Sequence, residues 1–194
     1  IGMTNDVWEN NRLFFIDKFK DHLPLDITNE DKCEVIYNVS NYETRKKWIS
    51  KERNEEFKYT CIHSTPKSGI RYMYSKINTN GHFGISKVIF GETGINNAII
   101  DINGEYGMTQ HSIGIKIDTL EEGEEIKEII ESIKFKDIIE SCSWSNYQID
   151  WRLFTYFKKD FYKEFLDDVN ENTDNEEDNE SVKKKISKSK KSTK

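Results

Sequence analysis

The chain has 194 residues, 33% of them charged and 35% hydrophobic, which suits one domain with a real core and a large solvated surface. Apolar runs such as "KVIF" and "NAII" fall far short of the roughly 18 to 20 residues that cross a bilayer, and no apolar leader opens the chain, so neither membrane insertion nor secretion is expected. Three cysteines without paired spacing, Cys33, Cys61 and Cys142, point to free thiols in a reducing, cytoplasmic compartment.

In chain order, "TNDVWENNRLFFIDKFKDHL" sets Trp8, Phe15, Phe19 and Leu23 at helical spacing before Pro24, which predicts an amphipathic helix over residues 4–23. "KCEVIYNVS" alternates apolar and polar residues and predicts a strand from Cys33 to Val39; "KYTCIHS" predicts a second. Between them, "NYETRKKWISKERNEEF" reads as a short helix or a loop. From Thr65 to Gly114, eight glycines separate short apolar runs, which predicts short strands joined by tight turns, with Asn103-Gly104 as a hairpin turn.

The period then changes to 3.6. In "DTLEEGEEIKEIIESIKFKDIIES", Thr119 and Glu122 have capping-box spacing, and Ile126, Ile129, Ile130, Ile133 and Ile138 line one side of a predicted helix. A last helix is predicted from Asp150 to Phe165, with Trp151, Phe154, Phe157, Phe161 and Phe165 forming a buried stripe. Beyond Leu166, eight acids followed by seven lysines make a tail expected to be disordered. The whole predicts an α+β fold: an N-terminal helix, a small mostly antiparallel sheet, and two C-terminal helices on one face.

The net charge of −6 conceals an uneven distribution. Residues 45–87 hold ten basic groups against Glu52, Glu55 and Glu56, inside a body that is otherwise acidic. A local positive field of this kind steers polyanions to a surface whatever the net charge.

The blocks "CIHSTPKSGIRYMYSK", "HFGISKVIFGETG", "GEYGMTQHSIGIKI" and "WSNYQIDWRLF", in that order, resemble the target-recognition region of adenine-specific DNA methyltransferases of the fused restriction-modification type, including relatives encoded by giant viruses. The resemblance covers roughly Lys32 to Phe165. It implies a DNA target-recognition domain over 32–166, between the helical segment expected over 1–31 and the disordered tail expected over 167–194. It also implies sequence-specific binding of double-stranded DNA, in a bacterial or virus-infected cell, beside an N-terminal methyltransferase domain or subunit.

Catalysis is not expected from this chain. Methylation of an exocyclic amine in this family needs an Asn-Pro-Pro-aromatic loop around the flipped base, and the two prolines, Pro24 and Pro66, follow neither Asn nor Pro. No strand, Gly-rich turn and helix occur in succession to hold S-adenosylmethionine, so that cofactor is expected only in a domain outside this chain.

Candidate DNA contacts follow from residue type. A Pro66-Lys67-Ser68-Gly69 turn would offer Lys67, Ser68 and backbone N–H groups to phosphate, and the next strand would alternate Arg71 with Tyr72, Tyr74 and Lys76. Thr109, Gln110 and His111 follow a glycine turn, and a Gln is shaped for bidentate contact with adenine. Asn146 and Arg152 complete the set. Cys61, His63, His82 and His111 lack zinc-ligand spacing, so no metal is expected. Two other readings are a protein-docking module using the aromatic C-terminal helix and a Mg-dependent nuclease built on Glu56-Phe57-Lys58.

Overall fold

The computed structural model describes residues 13–21, 23–28, 30–37, 42–141 and 148–166. Residues 13–19 form helix α1, and the order that follows is β1 (Val35–Ile36), β2 (Ile49–Ser50), β3 (Tyr59–Ser64), β4 (Arg71–Ser75), β5 (Lys87–Gly91), β6 (Gly94–Asp101), β7 (Gly107–Met108), β8 (Ser112–Lys116), α2 (Leu120–Glu131) and α3 (Ile133–Ser141). The fold is α+β, but the strands form two sheets rather than one. The first has the order β1-β8-β5-β6, all antiparallel; the second has the order β2-β4-β3-β7, with β7 parallel to β3.

Strand β5 belongs to the middle of the molecule and is buried from end to end. Val88 and Phe90 face the main core beneath α2 and α3, while Ile89 faces Ile36, Ile62 and Met108, the apolar contact between the sheets. The stretch 41–57, expected as a short helix or loop, is mostly turns and loop where described, interrupted by the two-residue edge strand β2, registered Ser50 to Tyr74.

The hairpin turn also moves. Gly91 pairs with Gly94, so Glu92 and Thr93 close the β5–β6 hairpin. Asn103-Gly104 does make a tight turn, with Gly104 at φ 68° against the Gly84 backbone, but it sends the chain across to the second sheet. A turn signature specifies local backbone; which strand receives the chain is a tertiary matter.

The long isoleucine helix is two helices. Thr119 caps the first by accepting the Glu122 N–H at 3.1 Å, and Glu122 reaches back to the Asp118 N–H. Gly123 lets α2 lie close to the first sheet, since a side chain there would strike Ile100 and Ile117. At Ser132 the backbone becomes extended and the hydroxyl accepts the Phe135 N–H, starting α3. The restart shifts the phase: Ile133 points out, 80% exposed, and Phe135 and Ile139 turn inward.

The expected helix from Asp150 to Phe165 is not one either. Asp150 caps a 3₁₀ turn at Trp151–Tyr156, Phe157 and Lys158 bridge to Leu25 and Lys32, and only residues 163–166 are helical again. Its aromatic residues are nevertheless core: Phe154, Phe157 and Phe161 are fully buried around Phe135. The tail, Cys142 and Asn146 lie outside the described residues. No helix among the described residues is long and apolar enough to cross a membrane.

Candidate nucleic-acid interface

The second sheet carries most of the basic segment. Arg45, Lys47, Lys51, Arg53, Lys58, Lys67 and Arg71 are exposed on its strands and loops. Among the described residues no carboxylate pairs with Lys47, Lys51, Arg53, Lys67 or Arg71. Lys87 is the exception that the charge count misses. It is completely buried, donates to Asp101 at 2.7 Å and to the Ile85 carbonyl, and burial pulls its pKa down against the opposing pull of Asp101. Asp101 in turn accepts the Glu105 and Tyr106 N–H groups, so this cation is structural.

Strand β4 alternates as its sequence predicts. Met73 and Ser75 face inward, and Tyr72, Tyr74 and Lys76 face the other way, with Tyr72 40% exposed. Lys76 is held, donating to Glu56 at 2.5 Å and lying over the Phe57 ring. Glu56 therefore sits in a loop before β3, engaged with a lysine, rather than on a strand as the nuclease reading requires.

The Pro66-to-Gly69 turn forms, closed by the Gly69 N–H on the Pro66 carbonyl, and it exposes Lys67 and Ser68. Asn97 of β6 donates to the same carbonyl at 2.7 Å, which leans the turn toward the first sheet. Lys67 consequently lines an open cavity of about 400 Å³ with Asn96, Lys136, Ile139 and Ile149. The expected strip from Lys67 to Lys76 is thus split, Lys67 toward α3 and Arg71 toward β3.

Arg71 lies across from Ser64, next to His63, and the parallel pairing of β7 with β3 brings Thr109 to the same place. Thr109 is fully buried: its N–H donates to the Ile62 carbonyl, and its hydroxyl meets Nδ1 of His63 at 2.9 Å. It is not an exposed DNA contact. Gln110 is also committed, its side-chain carbonyl accepting the Thr44 N–H at 3.2 Å, which ties the β7–β8 loop to the chain before β2. Only its amide NH2 remains for a ligand.

His111 is the exposed member of the trio. Its side chain is 41% exposed, its Nδ1 lies 2.5 Å from Glu92 Oε1, and its ring packs edge-on against that of His63 at 4.9 Å. Glu92 is 5% exposed and also accepts from the Tyr37 hydroxyl at 3.3 Å. Burial and the adjacent carboxylate push the Tyr37 hydroxyl up to about 12. Burial, followed by the nearby His111 and Arg71, pulls His63 below its ordinary value.

Arg152 is occupied as well, forming a forked ion pair with Asp150 at 2.6 to 3.2 Å. It stands behind this cluster, because Ile149 donates to the Glu92 carbonyl and Trp151 stacks on Tyr37.

Composition did not single out His63 or Glu92 as a pair with His111. The only local signal was Cys61-x-His63 on one strand face; Glu92, in a hairpin turn, gave none. Burial lifts Cys33 and Cys61 to about 12, which leaves both thiols inert. No group of three or more His, Cys, Asp or Glu side chains able to hold a metal occurs among the described residues. No protein-family model, curated protein or solved structure matches this chain.

Proposed function

We propose that this chain recognises double-stranded DNA in a sequence-specific manner, as the target-recognition part of an N6-adenine methyltransferase or fused restriction-modification enzyme. The observation that carries the reading is the set of exposed cations on the second sheet with no carboxylate partner among the described residues, beside the outward Tyr72 and Tyr74, within an acidic protein. The order of the four sequence blocks gives the reading its family. Phosphate attraction by these cations supplies affinity and makes it salt-dependent. Base reading falls to residues around Arg71, the Gln110 amide and His111. Methyl transfer, and the S-adenosylmethionine it consumes, belong to a partner domain or subunit.

The test is titration of a labelled duplex at two salt concentrations. Binding should weaken as salt rises, with a slope of about 0.9 per phosphate neutralised. Absence of binding at low salt, or affinity indifferent to salt, sinks the proposal. Against the protein-docking alternative, Phe154, Phe157 and Phe161 of the C-terminal aromatic run are buried in the chain's own core. The nuclease alternative has Glu56 tied to Lys76 in a loop rather than on a strand.

A further inference from the structure

The two imidazoles at the junction of the sheets are each held by one nitrogen. Thr109 is fully buried, so its hydroxyl hydrogen needs an acceptor. The acceptor within reach is Nδ1 of His63, at 2.9 Å. That bond places the proton of neutral His63 on Nε2. His111 is held the other way. Its Nδ1–H donates to the buried Glu92 carboxylate, whose second oxygen is taken by Tyr37.

Among the described residues neither Nε2 has a protein partner, and neither is among the buried polar atoms left unpaired; that place is held by Nε2 of His82. Both therefore reach solvent. Arg71 of β4 lies across from Ser64, next to His63, while the Glu92 carboxylate and the Tyr37 hydroxyl lie behind His111. Nε2–H of His63 and Nε2–H of an imidazolium at His111 are two donors with the Arg71 guanidinium at their side. That combination matches a tetrahedral oxyanion.

We propose that His63 and His111, with Arg71 beside them, form a binding site for one phosphate group, which in the DNA-bound chain is a backbone phosphate. Only that last clause rests on the duplex-binding reading. The role given to His111 is then phosphate contact rather than base reading.

The experiment is a titration of the full chain with inorganic phosphate, following the imidazole resonances by NMR, with chloride at matched ionic strength as the control. His63 and His111 should shift together and saturably, and His82 should stay still. Arg71→Ala, at an exposed position, should weaken phosphate binding several-fold, and His63→Gln about tenfold, the equivalent of one charge-assisted hydrogen bond. Shifts absent, unsaturable or equally produced by chloride overturn the site, as does Arg71→Ala leaving phosphate binding unchanged.

Duplex binding by His63→Gln distinguishes the source. A loss assigns the ligand to the nucleic-acid backbone; unchanged duplex affinity with the phosphate shifts intact assigns the site to free phosphate and overturns the last clause. A wild-type chain that binds phosphate but no duplex leaves the site standing and removes the DNA reading.

Discussion

Residues 151–165 and residues 45–76 look alike as composition, each a run of Tyr, Phe and Trp among Lys and Arg. In the fold they do opposite things. The first sends Phe154, Phe157, Phe161 and Phe165 around Phe135 and uses its cations locally, Arg152 on Asp150 and Lys159 on Asp118. The second turns Tyr72 outward and leaves Lys51 and Arg71 without a carboxylate among the described residues. Aromatic residues among cations do not mark a nucleic-acid surface by themselves; burial and pairing decide.

The comparison breaks most sharply at the centre of the aromatic layer. Phe135→Ala removes the ring that touches four others, and denaturant unfolding should register a loss of about 4 kcal/mol. A loss under about 1 kcal/mol would mean that this layer is not the core.

Lys87→Met tests the one cation of the basic segment assigned to the interior. Leaving Asp101 buried without its partner should cost about 3 kcal/mol. A stable variant with weakened duplex binding would return Lys87 to the DNA-facing set. Thr119→Ala removes a helix cap outside both regions and should cost about 1 kcal/mol, visible as a lower thermal midpoint with duplex affinity intact.

Arg71→Ala is the reverse case. Its stability should stay within about 0.5 kcal/mol of the parent, while the salt slope of duplex binding falls by about 1. An unchanged slope would place Arg71 off the contact surface. The smallest effect concerns pH. His63 and His82 titrate below 6.5 in the folded chain, burial being the main cause. Between those lowered values and 6.5 the unfolded chain binds more protons, so stability is full above 6.5 and declines as pH falls through the folded values. Urea midpoints across that window should fall, and fall less for His82→Gln; an equal fall in the variant would assign the loss to other groups.

The legible parts of the sequence were those governed by near neighbours. Thr119 and Glu122 made their cap, β4 alternated, and the Pro66-to-Gly69 turn exposed its lysine, because each depends on contacts within a few residues. Helix continuity was less legible. Ile133 kept the right spacing, yet Ser132 could either continue the helix or cap a new one, and the inward fit of Phe135 and Ile139 favoured the cap. The aromatic run after Asp150 obeyed helical spacing and was buried without forming that helix, since bridges to Leu25 and Lys32 claimed its backbone.

By itself the sequence determined the α+β class, the helix cap at Thr119, the Pro66-to-Gly69 turn and most of the aromatic core after Asp150. Tertiary structure alone decided that there are two sheets, that Lys87 leaves the surface, and that His63, Glu92, Thr109 and His111 meet at one point. The physical reason is range. Caps, turns and side-chain alternation are set by the residues next to them, whereas a cluster drawn from β3, the β5–β6 hairpin and the β7–β8 loop exists only once long-range strand pairing has fixed which chain lies beside which.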